Sequence, residues 1–485
     1  MPWRIGVVLG ALIALPAFSQ TLGEFPQGVF DNTAAIEGTP PAASGMKTPI
    51  LALASPSATN PTTAGAANYY GFINGSAIAA TSTLSLHQGV MPVAGTLSAL
   101  NVDVNTSPGG AATWTASAVY NGSVSTALQC VIAAGTAPVF GTGSACASGA
   151  LSVVVGDLVA WDMVAAGTPS ALTTPFQLSA LFQATSGQHS PIVGIGNANM
   201  STSALQYLGL GQSAGLQTTE YIASVVFPTG GTLNSMTVAL NGGAPGAGAA
   251  VTVNVVQNGT WANTSGVSTG LECQISGASA TKCLPAANTG AAITVSAGDT
   301  ISVQLCPSTS SGGPITGCPT DSGATGGGWT AVPTARGITV GFDWTPTTAN
   351  YAVVFSNMGT APATASNVYF NSSGNITNEG TEVYGENVTP NGTTVTLEGY
   401  YVNQCPGPGA SRTRTTQPRS AAGNVGTTVA FTNNATACPT MNAGNGSWSA
   451  TTVATNGFFD FETLPTGGTN TAVTMLKVGS SVTSP

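Results

Sequence analysis

The sequence predicts an all-β protein made of three tandem antiparallel β-sandwich or jelly-roll domains that are stapled by disulfide bonds. The prediction rests on a repeated segment, a two-residue hydrophobic period and an even number of cysteines. Residues 92–105, PVAGTLSALNVDVN, return 136 residues later as PTGGTLNSMTVALN. A third, diverged copy begins with PNGTTVTLEGYYVN at residues 390–403. These matches indicate that one domain occurs three times along the chain.

Within each copy the hydrophobic pattern is that of strands. Apolar and polar side chains alternate over residues 114–118 and 251–255, which is typical of half-buried strands. Asn-Gly follows at 121 and again at 258. This dipeptide favours a type I′ hairpin turn, because both central residues of that turn need a positive φ. Short strands separated by such turns predict a sandwich in each copy.

The first residues read as an export signal. Arg4 precedes an apolar stretch of 11 residues from Ile5 to Leu15, and small residues at 17–19 form a cleavage site. A membrane span needs about 20 apolar residues, so the stretch predicts a secretory signal and not an anchor. We therefore expect a secreted protein that does not span the membrane. The predicted organisation is a signal peptide at 1–19, a leader or linker at 20–48, and repeats at 49–190, 191–345 and 346–485.

The eight cysteines form an even set in an exported chain, which predicts disulfide bonds. Many connectivities are possible, but each copy holds an even number of cysteines, which favours pairing within a copy. A zinc site is not expected, because no C-x-x-C motif occurs and the chain has 2 histidines. The predicted pairs are Cys130 with Cys146, Cys273 with Cys283, Cys306 with Cys318, and Cys405 with Cys438.

Composition narrows the class of partner. Only 5% of the residues are charged, against about 25% in an average soluble domain. The formal net charge is −9, and the one basic cluster consists of Arg412, Arg414 and Arg419. Nucleic-acid binding needs many clustered cations, so nucleic acid is not an expected partner. With 42% apolar residues the chain is also unlike a disordered protein.

A family resemblance rests on two repeated strands. The sequences are LQCVI at 128–132 with VVVGDLVAW at 153–161, and LECQI at 271–275 with VSAGDTISV at 295–303. The combination resembles secreted bacterial tandem β-sandwich repeat proteins, and the Gly-Asp strand is similar to that of C1q/TNF-type jelly rolls. The resemblance covers residues 50–345 well and 350–480 loosely. It implies binding or assembly more often than catalysis.

Candidate catalytic residues lack the partners that catalysis needs. The motif GQSAG at 211–215 places Ser213 in a nucleophile-elbow pattern, but no histidine follows it. His87 and His189 have no recognisable acid or nucleophile nearby in sequence. We expect both histidines to lie on the surface or in loops. The sequence therefore predicts no catalytic residue, no cofactor and no metal ion.

Two groups of acidic residues have alternative interpretations. Glu379, Glu382 and Glu386 form the densest acidic group, and a solvated edge is favoured over a catalytic or cation-binding role. Asp157 and Asp299 follow glycines at equivalent places in two copies. A repeated calcium site is conceivable there. A turn-stabilising role is favoured, because an Asp side chain readily accepts backbone N–H groups.

Tryptophans divide into core and ligand candidates. Trp114, Trp161 and Trp344 lie within alternating strands, which predicts a place in the core. Trp261 follows Asn258-Gly259 in an inserted loop, and Trp329 follows three glycines. These two are the expected exposed contacts for a ligand, since tryptophan offers a large apolar face with one polar group.

The expected function follows from secretion, low charge and repetition. The leading hypothesis is a non-enzymatic structural or adhesive protein of the cell surface or extracellular matrix, extended as a rod and able to self-assemble. Its partners would be further copies of itself or a neutral surface glycan or protein, because few charges oppose close packing. The alternative is a carbohydrate-binding protein that uses exposed Trp and Tyr, and the third possibility is a secreted hydrolase.

Overall fold

A computed structural model gives the fold of most of the chain after the predicted leader. Residues 44–485 form one compact unit. The predicted signal peptide and most of the predicted leader lie outside the described residues. The structure describes residues 45–54, 64–73, 83–104, 107–133, 146, 149–170, 176–196, 198, 200, 205–211, 213–261, 270–309, 337–358, 367–370, 374–375, 387–420, 423–432, 442–466 and 475–485.

The predicted all-β class is confirmed. Strands dominate the described residues, and helix is limited to α1 (Glu220–Ala223) and the 3₁₀ turns Leu84–Leu86 and Pro285–Ala287. No described helix has the length and apolar character needed to cross a membrane. The strand pairs of the described residues are antiparallel, apart from two short parallel pairs at residues 195–196 with 213–214 and 356–357 with 374–375.

Strands of the first repeat form two sheets. One, here called its junction sheet, has the order β1-β9-β4-β7; the other, its distal sheet, has the order β2-β8-β5-β6, with β3 also on β8. The strands are β1 (Lys47–Ala54), β2 (Ala67–Tyr70), β3 (Gly89–Val90), β4 (Gly95–Asp103), β5 (Thr113–Tyr120), β6 (Ser123–Ile132), β7 (Ala150–Val153), β8 (Leu158–Ala166) and β9 (Phe176–Ala184).

The second repeat has the same plan. Its junction sheet runs β12-β10-β21-β14-β18 with β19 on β14, and its distal sheet runs β11-β20-β15-β16 with β13 on β20 and β17 on β15. The strands are β10 (Ser190–Gly196), β11 (Gln206–Leu208), β12 (Ser213–Ala214), β13 (Val225–Val226), β14 (Gly231–Asn241), β15 (Gly246–Gln257), β16 (Thr260–Trp261), β17 (Glu272–Gly277), β18 (Lys282–Cys283), β19 (Ile293–Val295), β20 (Thr300–Thr309) and β21 (Gly337–Pro346).

In the third repeat the junction sheet runs β24-β22-β32-β26-β30, and the distal sheet runs β23-β31-β27-β28 with β25 on β31 and β29 on β27. The strands are β22 (Ala352–Met358), β23 (Val368–Phe370), β24 (Gly374–Asn375), β25 (Asn387–Val388), β26 (Val395–Cys405), β27 (Thr413–Ser420), β28 (Gly423–Asn424), β29 (Val429–Thr432), β30 (Asn442–Val453), β31 (Phe458–Thr466) and β32 (Met475–Thr483).

Some boundaries differ from the sequence expectations. Strand β1 begins at Lys47, inside the segment predicted as a leader. The closing strand of the third repeat is β32, and the preceding strand β31 ends at Thr466. The predicted limits of the three domains stay a prediction.

Each pair of sheets encloses a hydrophobic core that continues into the next repeat. The first core contains Trp114 and Trp161 and extends to Val193 of β10. The second contains Trp344 and extends to Phe355 of β22, and the third extends to Leu51 of β1. Trp114, Trp161 and Trp344 are 0% exposed, which confirms the core position predicted for them. The cores therefore follow one another in a closed cycle.

Equivalent positions in the three junction sheets are fixed by strand register. A bulge interrupts each opening strand at nearly the same place, after Ser98 in β4, after Leu233 in β14 and after Leu397 in β26. Beyond the bulge, the matching cross-strand pairs are Asn101 with Ser179, Thr237 with Gly341, and Tyr401 with Gly479.

Short strands close the three repeats into a cycle, here called the three-repeat ring. Strand β3 of the first repeat contacts β14 and β21 of the second, at what is here called the 1–2 junction. Strand β13 of the second repeat contacts β26 and β32 of the third (the 2–3 junction), and β25 of the third repeat contacts β4 and β9 of the first (the 3–1 junction). The first strands β1, β10 and β22 meet around a cavity of about 30 Å³ whose lining includes Leu51, Val193 and Phe355. That volume has room for about one water molecule. The expectation of an extended rod is therefore wrong.

Polar bonds reinforce the 1–2 and 3–1 junctions. At the 1–2 junction the Val90 N–H donates to Thr339 Oγ1 at 3.0 Å. At the 3–1 junction Asn101 Nδ2 donates to the Thr389 carbonyl at 2.9 Å. Because these groups are buried, each would cost free energy if left unpaired, so the bonds favour the closed arrangement.

Disulfides staple individual repeats. The bonds Cys130–Cys146 and Cys273–Cys283 match two of the predicted pairs. Cys306 and Cys405 are also disulfide-bonded. Their predicted partners, Cys318 and Cys438, lie outside the described residues. Each closed loop restricts the unfolded chain and stabilises the fold by about 2–4 kcal/mol.

The close approach at the 2–3 junction gives a first testable prediction. A methyl group at Gly479 would collide with the backbone carbonyl of Val226, whereas one at Gly399 in the neighbouring strand has its nearest contact at 3.5 Å. We expect Gly479→Ala to lower the free energy of unfolding by about 1–3 kcal/mol through overpacking. Gly399→Ala is the matched control and should change it by less than about 1 kcal/mol. Denaturant unfolding with intact disulfides measures both; equal effects would contradict the tight junction.

Candidate functional site

Both Gly-Asp motifs stabilise turns. Asp157 accepts hydrogen bonds from the Val154 N–H at 2.7 Å, from the Tyr120 hydroxyl at 2.9 Å and from Asn121 Nδ2 at 2.8 Å. Asn121 Oδ1 in turn accepts the Leu158 N–H at 2.9 Å. The carboxylate therefore ties the Asn-Gly hairpin to the start of β8.

The second repeat repeats this arrangement. Asp299 accepts from the Ser296 N–H at 2.7 Å, from Gln257 Nε2 at 2.8 Å and from Asn258 Nδ2 at 2.8 Å. The turn-stabilising role predicted for the two aspartates is thus present in both repeats. A calcium ion would have to compete with these donors for the same carboxylate oxygens.

The side chains of both predicted ligand contacts lie outside the described part of the chain. Trp261 belongs to β16, but its side chain is not described, and Trp329 lies in the undescribed segment 310–336. The acidic group Glu379, Glu382 and Glu386 lies outside the described residues as well. Ser213 is placed only by its backbone, in β12.

The two histidines occupy different environments. His87 lies in the turn between the 3₁₀ turn Leu84–Leu86 and β3, which fits the expected loop position, but it is 0% exposed and therefore not on the surface. Burial lowers the pKa of His87 to about 4, which keeps the imidazole neutral. His189 is part-exposed, and its Nδ1 lies 2.8 Å from Asp343 Oδ1. This acid partner was not predictable from the sequence, because His189 directly precedes β10 and Asp343 lies in the neighbouring strand β21, 154 positions later.

Folding separates the basic cluster of the sequence. Arg414 is 1% exposed, and burial lowers its pKa to about 10. Arg419 lies on the opposite face of the same strand, β27, where it meets Glu462. Two arginines on opposite faces of one strand cannot present one basic surface. The predicted cluster is therefore not a single patch.

Arg419 belongs to a network on the distal sheet of the third repeat, here called the Glu462 cluster. Glu462 accepts from Gln417 Nε2 at 2.6 Å, from Asn367 Nδ2 at 2.9 Å and from Arg419 Nη1 at 3.3 Å. The guanidinium of Arg419 stands 5.6 Å from the ring centre of Tyr369, a cation–π distance. Glu462 is 3% exposed, whereas Asn367 is exposed. The cluster thus joins a buried carboxylate to a partly accessible amide and aromatic rim.

A tyrosine faces the same strand position in every repeat. The cross-strand pairs are Tyr69 with Asp162, Tyr207 with Gln304, and Tyr369 with Glu462. Burial raises the pKa of Asp162 to about 6. In the second repeat α1 packs over Tyr207, which is 5% exposed. Tyr69 and Tyr369 are half-buried, so the first and third repeats leave this position partly open.

The Glu462 cluster can bind a neutral polar ligand in chemical terms. Its rim offers the Asn367 amide and the Tyr369 ring, which are the kinds of group that orient small polar molecules, and the buried Glu462 carboxylate holds that amide in place. The described residues contain no group of three metal-ligating side chains. The cluster was not predictable from the sequence, because its members come from three separate segments and carry no local motif.

Comparison with known proteins adds no family. No protein-family model matches the chain, and no curated protein matches it.

A second prediction concerns the energetics of the Glu462 cluster. Replacing Glu462 with Gln removes the charge that three donors share, and a hydrogen bond to a charged group contributes about 1.5–3 kcal/mol. We expect Glu462→Gln to lower the free energy of unfolding by about that amount. Glu398→Gln is the control, because Glu398 is half-buried and pairs with hydroxyl groups of Tyr351 and Thr483. Equal losses in denaturant unfolding would show that the cluster is not specially stabilising.

Proposed function

We propose that the chain is an exported, non-enzymatic structural or adhesive protein of a cell surface or extracellular matrix. The observation that carries the proposal is the three-repeat ring, in which equivalent contacts join each repeat to the next. This arrangement fixes three distal sheets relative to one another. A rigid body with several similar faces can hold an extended partner at more than one point, and simultaneous contacts raise the overall affinity without any new type of contact.

Disulfide bonds support a place outside the cell. Cys130–Cys146 and Cys273–Cys283 close loops within the first and second repeats. Such bonds form and persist in oxidising compartments. The signal-peptide pattern at residues 1–19 points the same way. An adhesive protein also gains from these bonds, because they slow its unfolding when its partner pulls on it.

Carbohydrate binding is the second candidate, and the Glu462 cluster favours it. Sugar hydroxyls pair with carboxylates and amides, and sugar C–H faces pack on aromatic rings. Asn367 and Tyr369 supply an amide and an aromatic face next to one another, and the buried Glu462 carboxylate holds the Asn367 amide in place. A neutral glycan suits a surface with few charged residues, because no long-range charge repulsion or attraction is then involved.

A third prediction distinguishes the two candidates. The mature chain with intact disulfides should attach to surfaces or self-associate in electron microscopy and light scattering, which follows from the leading proposal. On an array of neutral glycans, Tyr369→Ala should weaken any binding by about tenfold, equal to about 1.4 kcal/mol. The control Glu398→Gln, in the junction sheet of the same repeat, should bind like the unmodified chain.

Each outcome decides between the hypotheses. Assembly or attachment without glycan dependence supports the structural role, and glycan binding that is lost in Tyr369→Ala supports the second candidate. Glycan binding that Tyr369→Ala leaves unchanged would remove the Glu462 cluster as the site. Turnover of a polymer substrate would contradict both proposals and favour the secreted hydrolase.

A further inference from the structure

One cross-strand position has a different chemical character at each junction. It pairs the opening strand with the closing strand of every junction sheet. The three pairs are Asp103 with Gln177, Ala239 with Thr339, and Asn403 with Lys477. The closing-strand member faces the neighbouring repeat, because Thr339 accepts the Val90 N–H and Lys477 donates to the Tyr221 carbonyl.

Lys477 carries a buried amine into the 2–3 junction. Its side chain is 0% exposed, and Nζ donates to the Tyr221 carbonyl at 2.5 Å and to Ser224 Oγ. These acceptors lie at the end of α1 in the second repeat. Glu220, at the start of α1, is the charged group that faces it among the described residues, and it favours the charged amine. Burial outweighs this attraction and lowers the pKa of Lys477 to about 7.

Asp103 places a buried carboxyl on the face of β4 that meets the third repeat. It lies two residues after Asn101 and so on the same face of β4. Asn101 Nδ2 donates to the Thr389 carbonyl of the third repeat. Strand β25 of the third repeat also contacts β4 and β9. Asp103 is 7% exposed, and burial raises its pKa to about 7. Among the described residues no facing charge contributes to this shift.

The 1–2 junction lacks an ionisable group at this position. Ala239 and Thr339 are neutral, and Thr339 is fully bonded through Val90 and the Gly194 carbonyl. A lysine does reach this junction, since Lys282 Nζ donates to the Gly156 carbonyl at 2.6 Å. That residue is exposed and belongs to a different strand, β18. It therefore serves as an internal control.

We propose that docking of the third repeat into the three-repeat ring is linked to proton binding at both of its junctions, through Asp103 and Lys477, and is weakest near neutral pH. At the 1–2 junction the ionisable group beside β3 is His87, whose pKa burial lowers to about 4, so this group weakens the junction only as the pH falls below 6.5 and not near neutral pH. This proton linkage acts on the contacts between repeats of one chain, and it is therefore compatible with either candidate function.

The direction of the pH effect on docking follows from the pKa shifts of Asp103 and Lys477. Asp103 titrates at a higher pKa when docked than the ordinary 3.8, so its contribution is present below pH 3.8 and is lost as the pH rises to about 7. Lys477 titrates at a lower pKa when docked than the ordinary 10.5, so its contribution is lost as the pH falls from 10.5 to about 7. Both contributions are therefore smallest near pH 7.

Hydrogen exchange of the full mature chain with intact disulfides tests the proposal junction by junction. Protection of β25 should fall between pH 4 and 7, and protection of β13 should rise between pH 7 and 10, after correction for the intrinsic exchange rate. One proton changes the opening equilibrium by up to about tenfold per pH unit. Protection of β3 at the 1–2 junction should not follow either trend.

Three variants show which residue causes the change in protection below pH 7 (the acid limb) and which causes the change above pH 7 (the alkaline limb). Asp103→Asn should abolish the change at β25, and Lys477→Met should abolish the change at β13, while Lys282→Met should leave both. Persistence of the alkaline limb in Lys477→Met, or of the acid limb in Asp103→Asn, would overturn the proposal. So would an equal change at all three junctions. If a variant does not fold, direct NMR titration of Lys477 and Asp103 in the unmodified chain decides, and ordinary pKa values would refute the linkage.

Discussion

The close approach of a short strand from one repeat to the closing strand of the next is the constraint on which the rest of the structure depends. It requires a small residue at one position in each closing strand, and Ser179, Gly341 and Gly479 occupy that position. At Gly341 an added methyl group would stand 2.7 Å from the Val90 carbonyl. The three-repeat ring can therefore close only because, at this one position, the closing strands present backbone and almost no side chain to their neighbours.

The turn before β8, β20 and β31 serves folding and ring closure together. Gly156 and Gly298 have φ values of 89° and 90°, which side chains rarely adopt, and the aspartates that follow them bind the hairpins. The same turns also touch the next repeat. The contacts are Gly156 with Lys282, Gly298 with Tyr401, and Asn456 with Asn101. In the third repeat the turn has lost its aspartate, yet it keeps its place in the cycle of contacts.

The local features of the fold were predictable from the sequence, and the long-range features were not. Alternation and Asn-Gly turns predicted the strands around Trp114 and Trp161, because these signals are local. The pairing of Cys130 with Cys146 was also predictable, because the two cysteines are 16 positions apart within one repeat. The ring depends on contacts between residues more than two hundred positions apart, such as Val90 with Thr339, and the contacts of the Glu462 cluster span 43 to 95 positions. Patterns of period two do not specify which sheet a strand meets across a junction, so a rod was expected where the chain closes on itself.

Covalent linkage of the repeats explains how one junction can hold a buried lysine. In a symmetric assembly of three identical chains, every junction would carry the same residue, and a buried cation would be imposed three times. Burying a charge costs several kcal/mol, so three such sites would strain an ordinary stability of about 5–15 kcal/mol. In a single chain the positions diverge independently, as Gln177, Thr339 and Lys477 show. The linked ring therefore permits a third repeat that differs from the other two in charge and in its response to protons.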